Sequence, residues 1–277
     1  MSQEQVPMPL DSAIIGAGIA GLAAGIAMTR AGYKATVYKR SHFKNEIGAA
    51  ISLTPNLNHV LKRRGSDFAE AGETEKKQYR KVTRDTVETL VQDHGLANIE
   101  EIYGAKLNAY HRVDLHNGIR ELAEHEGVHI KLGHDVHDLD VEAGTITFEN
   151  GSAVQTDLII IADGIKSSFA HKITSRPLKH CSIDRSVFRT LTPINKLMTH
   201  PVFRPLYEDE PSGFVNSSIS PAGVFIVTYP CRNDTLMNFA MFHKTLPSQS
   251  RRDSAFEWNA GGDLEDVKKL VEDWHPA

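Results

Sequence analysis

Cysteine is nearly absent from this chain: Cys181 and Cys231 are the two in 277 residues, and their separation leaves no disulfide framework to expect. No secretory signal precedes the first apolar segment, so a reducing, cytoplasmic setting is expected. A surplus of one charge is also lacking, with 31 Lys and Arg against 35 Asp and Glu. Without a basic stripe, nucleic acid and anionic membrane are poor partners. The short Lys62-Arg63-Arg64 run reads as a helix C-terminus. The apolar stretch Ala13–Met28 is too short for a membrane span of ~20 residues, and it holds four glycines. No G-x-x-x-x-G-K-[ST] loop, C-x-x-C pair or G-x-S-x-G elbow occurs, which removes P-loop, thiol-redox and serine-hydrolase chemistry. His125, His129, His134 and His137 crowd together but do not form a helical pair backed by a third ligand, so they read as surface residues and no metal is expected.

What the chain does have is glycine in one telling arrangement. Ala13-Ile14-Ile15 runs into Gly16-x-Gly18-x-x-Gly21, and an Ala-rich helix follows to about Arg30. In a dinucleotide turn, Gly16 would permit the sharp strand-to-helix reversal and Gly18 the approach of a pyrophosphate. Gly21 would let the helix pack closely on the sheet. The phosphates would meet free N–H groups at the positive end of the helix. Ala35–Tyr38 reads as the next strand, after which an acidic residue is expected to bind ribose hydroxyls. Lys39 and Arg40 stand there instead. They could meet the 2′-phosphate of NADP, or be solvated charges at a strand end.

Length and an ordinary 40% hydrophobic content suit one large or two modest domains. Gly48–Leu53 alternates, and Thr54-Pro55 reads as the N-cap and first residue of a helix. From His111, the spacing of Leu115, Ile119, Leu122 and Ala123 predicts an amphipathic helix closed by Gly127. A strand over Val128–Leu132 and a β-meander over Val136–Val141, Thr145–Phe148 and beyond the Asn150-Gly151 turn come next. The all-apolar Leu158–Ala162 predicts a strand central in a parallel sheet and covered on both faces. From about Cys181 the texture becomes that of an antiparallel sheet, with strands at Ser186–Leu191, Gly223–Tyr229 and Leu236–His243, and a helix from Asp263 to Trp274 ends the pattern. The fold class expected is thus α/β, with a Rossmann-like dinucleotide domain (parallel sheet plus β-meander) over 1–180 and a second, mainly antiparallel substrate sheet over 181–277.

Three segments together resemble the FAD-dependent aromatic-ring hydroxylases, the group A flavoprotein monooxygenases, in their salicylate-hydroxylase-like branch. They are the Gly16–Gly21 turn, His111-Arg112-Val113-Asp114-Leu115, and Ala162-Asp163-Gly164-Ile165-Lys166-Ser167-Ser168. Weaker echoes are Gly48–Leu53 with Pro55-Asn56, Phe188-Arg189, Tyr229-Pro230 and the run Asn259–Leu264. The resemblance implies FAD as cofactor and NAD(P)H as co-substrate, with oxygen transferred to an aromatic or polyketide-like secondary metabolite. It further implies that Gly16, Gly18, Gly21, Lys39, Ala49, Arg112, Asp163 and Gly164 lie along the cofactor, with Arg189 and Tyr229 at the substrate. Arg189 could stabilise a phenolate and Tyr229 orient the ring, or both could be structural. Arg112 opens a helix whose dipole disfavours a cation, which an anionic neighbour would explain. Asp163 ends a strand where open α/β sheets bind ligands, or is a turn or N-cap residue before the helix expected near Ser167. Two positions depart from the family: Lys39 replaces the ribose-binding acid, and Ala50 replaces a common glycine. The family's later Gly-Asp segment has no match, since Gly262-Asp263 leads into a polar helix, so the chain is expected to be a shortened member. A catalytically inactive flavoprotein-like protein and an NADP-dependent reductase are the alternatives. The substrate, the choice between NADH and NADPH and the oligomeric state are not legible.

Overall fold

The computed structural model describes residues 9–42, 48–62, 71–176, 183–246 and 261–275. Cys181, Arg63, Arg64 and Asn259 lie outside the described residues. In chain order the first strands are β1 (Asp11–Ile15), β2 (Lys34–Lys39), β3 (Ala50–Leu53), β4 (Thr74–Glu75), β5 (Gln78–Val82) and β6 (Thr89–Asp93). Then come β7 (Asn108–His111), β8 (His129–Leu132), β9 (Val136–Asp140), β10 (Thr145–Phe148), β11 (Ala153–Gln155) and β12 (Leu158–Ile161). The last are β13 (Arg185–Pro193), β14 (Phe214–Ile219), β15 (Phe225–Cys231) and β16 (Leu236–Lys244). The helices that matter below are α1 (Ile19–Arg30), α2 (Pro55–Lys62), α3 (Ile99–Tyr103), α4 (Arg112–His125) and α5 (Ala170–Thr174).

Two compact units emerge, one from the described residues of Met1–Glu46 and His116–His180, the other from those of Ile47–Leu115 and Cys181–Ala277. The first is the dinucleotide fold. Its parallel sheet runs β12-β1-β2-β8, and the meander β11-β10-β9 pairs antiparallel. Ala13, Ile15 and Tyr38 from the parallel sheet share one core with Leu139, Ile146 and Phe148 from the meander. Period-two alternation in both sheets turns those residues to a common side, which is why neither sheet's inner face meets water.

The second unit holds a six-stranded sheet, β13-β16-β15-β14-β5-β6, and a three-stranded one, β3-β7-β4. The sequence treats 1–180 as one domain, whereas 47–115 groups with the later residues. The physical reason is pairing: Phe214–Ser217 of β14 lie parallel to Gln78–Lys81 of β5 across more than a hundred residues of chain, a register no local pattern announces.

A second expectation changes too. β12 is not central but stands at the edge of the parallel sheet among the described residues, next to β1 alone, and Leu158 is 38% exposed. An apolar run distinguishes poorly between an edge strand with one covered face and an inner strand with two. The last helix is shorter than its pattern, spanning Leu264–Leu270, with the Asp263 carboxylate accepting from the Glu265 N–H at 2.9 Å as its N-cap. No helix among the described residues is long and apolar enough to cross a membrane.

Candidate functional site

The glycine turn of the first unit separates into three positions with three different reasons. Gly16 has φ +103°, and a Cβ there would lie 2.3 Å from the Ala162 carbonyl oxygen at the end of β12. At Gly21 a Cβ would lie 1.8 Å from the Gly16 carbonyl oxygen. Both are demanded by the fold. Gly18 is not: its φ of −77° and ψ of −179° suit any residue, and a Cβ would meet nothing within 4 Å. Gly18 is the N-cap of α1 without a side-chain cap, and no acidic residue occupies the first turn. The helix therefore offers its unsatisfied N–H groups and positive end outward, the arrangement that holds a phosphate.

The turn is braced from behind. Gly16 N–H donates to the Tyr38 carbonyl at 2.9 Å and Ala162 N–H to the Ile15 carbonyl at 2.8 Å. His116, 1% exposed on α4, places Nε2 2.7 Å from the Ala17 carbonyl oxygen. A carbonyl only accepts, so Nε2 carries the proton. His116 thus fixes the peptide between Gly16 and Gly18. His116→Phe should leave a buried carbonyl without a donor, lowering stability by ~1–3 kcal/mol; a fall of several degrees in thermal midpoint checks it. The sequence reading missed this residue. Its spacing from Ile119 and Ala123 sets a polar side chain on the apolar stripe of α4, and that was the available signal.

Lys39 ends β2 and is half-buried, while Arg40 is exposed. Asp163 is half-buried just beyond β12, and its Oδ2 accepts from the Ser168 N–H at 3.2 Å. The carboxylate therefore holds the turn before α5 and does not cap that helix, which begins at Ala170 rather than near Ser167 and has Phe169 at its N-cap with no side-chain cap. Gly164 has φ +90° with open space where a Cβ would stand, so backbone conformation alone calls for glycine. Among the four histidines, His125, His129 and His137 are exposed, and His134 is half-buried against Tyr38 and Phe148.

In the second unit, Ala49 and Arg112 are joined directly, the Arg112 N–H donating to the Ala49 carbonyl at 2.8 Å. Gly48 lies against His111, whose Nε2 would be 2.5 Å from an added Cβ. Arg112 begins α4 as foreseen. Arg189 on β13 is half-buried, and burial, then the charge of Arg112, pull its pKa below the usual guanidinium range. Two cations thus share one electrostatic neighbourhood. Tyr229 on β15 is half-buried, and burial raises its pKa, partly offset by a hydrogen bond with Ser52.

A group that the sequence reading did not single out stands beside Tyr229. Lys76, between β4 and β5, is 8% exposed. Its Nζ donates to Ser52 Oγ at 2.6 Å and lies 3.7 Å from the centroid of the Tyr229 ring. Burial lowers its pKa from 10.5 to about 8. It occurs in the weakly patterned 66–101 stretch, and its burial comes from β3 and β15, remote in sequence, so no local signal marks it.

A family model described as an FAD binding domain matches residues 10–263. Hispidin-3-hydroxylase of Neonothopanus nambi is 28% identical over 95% of this chain and 64% of that protein. The FAD-dependent monooxygenase cfoG of Aspergillus candidus is 30% identical over 95% of this chain and 62% of that protein. The chain therefore spans less than two thirds of the length of these relatives. Among solved structures, HpxO of Klebsiella pneumoniae complexed with FAD and uric acid superposes with a TM-score of 0.76 at 21% identity, over 96% of this chain and 63% of that one.

Proposed function

The chain belongs to the FAD-binding domain family, and from that premise we propose that it serves an FAD-dependent monooxygenase that hydroxylates an aromatic or polyketide-like secondary metabolite with NAD(P)H and O2. Gly18 carries this reading, because neither its backbone angles nor its packing require glycine, yet a side chain there would fill the cradle over the N-terminus of α1. Such a space suits a pyrophosphate. When bound, FAD would supply the redox chemistry, accepting hydride and activating oxygen. Relatives named as a hydroxylase and a monooxygenase support this reading over an NADP-dependent reductase.

The protein's own residues have simpler tasks. In the first unit, Gly16 and Gly21 shape the turn, Gly18 admits the pyrophosphate, and Lys39, Asp163 and Gly164 complete the cofactor set. In the second unit, Ala49 and Arg112 are assigned to the cofactor, with Arg189 and Tyr229 assigned to the substrate. Arg189 would bind an anionic oxygen on the ring through a charge-assisted hydrogen bond, and the Tyr229 hydroxyl would orient it. The cysteine usage that pointed to a reducing compartment supports a cytoplasmic location.

Gly18→Leu tests the reading cleanly. The thermal midpoint should stay where it is, since no atom lies in the way, while FAD affinity followed by quenching of flavin fluorescence should fall about a hundredfold or more. Unchanged affinity would remove the nucleotide from this turn.

A further inference from the structure

We propose that Arg232 is a positioning residue for the cofactor: its ion pair with Asp114 holds the first turn of α4, and with it Arg112, in the cofactor set. The inference rests on the flavoprotein reading above and adds a residue that no motif of the sequence marked. Arg232 opens the loop between β15 and β16, where Arg232, Asn233 and Asp234 follow one another at φ +56°, +51° and +56°. Asn and Asp visit the left-handed region through local hydrogen bonds, whereas an arginine there sets its Cβ against the following carbonyl, a strain that glycine would not feel. Packing does not ask for arginine either. The Arg232 side chain is 51% exposed, and Nε donates to Asp114 Oδ2 at 2.8 Å. An ion pair so open to water adds little to folding and does not offset the backbone strain. Strain held without a gain in stability marks a residue kept for a task.

The two ends of the pair show what that task is. On the loop side the backbone is anchored: Asn233 N–H donates to the Gly72 carbonyl at 3.2 Å, Asp234 N–H to Thr74 Oγ1 at 3.1 Å, and Ser212 Oγ to Asp234 Oδ2 at 2.6 Å. The loop also packs closely on Gly72, where a Cβ would lie 3.4 Å from Arg232 Cα. Arg232 is therefore a fixed post. On the helix side, Asp114 stands in the first turn of α4, two residues after Arg112, and its other oxygen, Oδ1, lies 3.2 Å from His111 Nδ1. The Arg112 N–H is held by the Ala49 carbonyl. The start of α4 is thus gripped from two sides, by the chain before β3 through Ala49 and by the β15–β16 loop through Arg232. The grip also engages the acid nearest to Arg112 in sequence. Among the described residues no carboxylate pairs with Arg112, and its charge stays available to a phosphate.

The test titrates the whole chain with FAD, followed by quenching of flavin fluorescence, beside a thermal midpoint for each variant. Arg232→Gly should keep or raise the midpoint, because glycine accepts the left-handed angles, yet bind FAD about tenfold more weakly. Arg232→Lys should recover part of that affinity. Asp114→Asn should reproduce the loss from the other end of the pair and serves if Arg232→Gly does not fold. In an Arg112→Ala background Arg232→Gly should cause no further loss, since the group it positions is already gone. Equal affinity in the wild type and Arg232→Gly would overturn the proposal, as would a loss of the same size with and without Arg112. Failure of the flavoprotein reading looks different: a wild-type protein that does not quench flavin fluorescence would overturn that reading and this proposal together.

Discussion

Gly21→Ala should lower the free energy of unfolding by about 4 kcal/mol or more, a loss reached only when a core position cannot relax. One methyl group is responsible. Its carbon would stand 1.8 Å from the Gly16 carbonyl oxygen and 3.4 Å from Ala162 Cβ, and the nearer of these is backbone. Gly16 cannot yield, because its N–H is tied to Tyr38, its neighbour Ile15 accepts from Ala162, and its own φ of +103° is already available only to glycine. Gly25, one turn further along, marks a second close approach of α1, since a Cβ there would lie 2.9 Å from a Val128 methyl carbon. Urea denaturation of Gly21→Ala beside Gly18→Leu gives the contrast. The first should unfold at much lower denaturant or fail to accumulate, and the second should unfold like the wild type while no longer taking up FAD. If both lose stability equally, the division of this turn into structural and ligand-facing glycines is wrong.

That division follows the roles the motif assigns to its three glycines in the sequence. The motif itself is local: a strand, a turn and a helix within about twenty residues, and so are α4 and the meander, where periodicity and turn residues agree. What the motif conceals is that Gly16 and Gly21 answer to Ala162 and to each other, while Gly18 answers to nothing in the protein. β14 was missed for another reason. Phe214–Ser218 are all buried, yet Asn216, Ser217 and Ser218 are polar, so the apolar alternation that announces a strand is missing. Partners from β5 make the burial tolerable: Arg80 Nε donates to Asn216 Oδ1 at 2.9 Å, and the Tyr79 and Ser217 hydroxyls lie 2.5 Å apart. The same long-range pairing draws 47–115 into the second unit. Of the assigned site residues, the glycines, Arg112 and Asp163 carried motif information. His116 and Lys76 matter through contacts 99 and 24 residues away, to Ala17 and Ser52.

Lys76→Met should stabilise the protein at pH 7 and cease to do so in strong alkali. In the folded chain Lys76 loses its proton at about 8 rather than 10.5, so between those values the unfolded chain binds more protons and wild-type stability rises with pH. Below pH 8 both states are protonated, and the folded state bears the whole cost of the buried ammonium, ~3 kcal/mol on this shift. Above about 10.5 both are neutral and the cost is gone. Methionine fills similar volume without a charge, at the loss of the Ser52 hydrogen bond and the contact with the Tyr229 ring, which together return about 1–2 kcal/mol. The net gain at pH 7 is therefore ~1–2 kcal/mol, and near pH 11 its sign should reverse, because the amine is neutral there and the lost hydrogen bond with Ser52 is what remains. Urea unfolding of both proteins at the two pH values checks this, and the comparison cancels groups that titrate alike in both. A variant equally destabilised at both would mean that Lys76 carries no uncompensated charge.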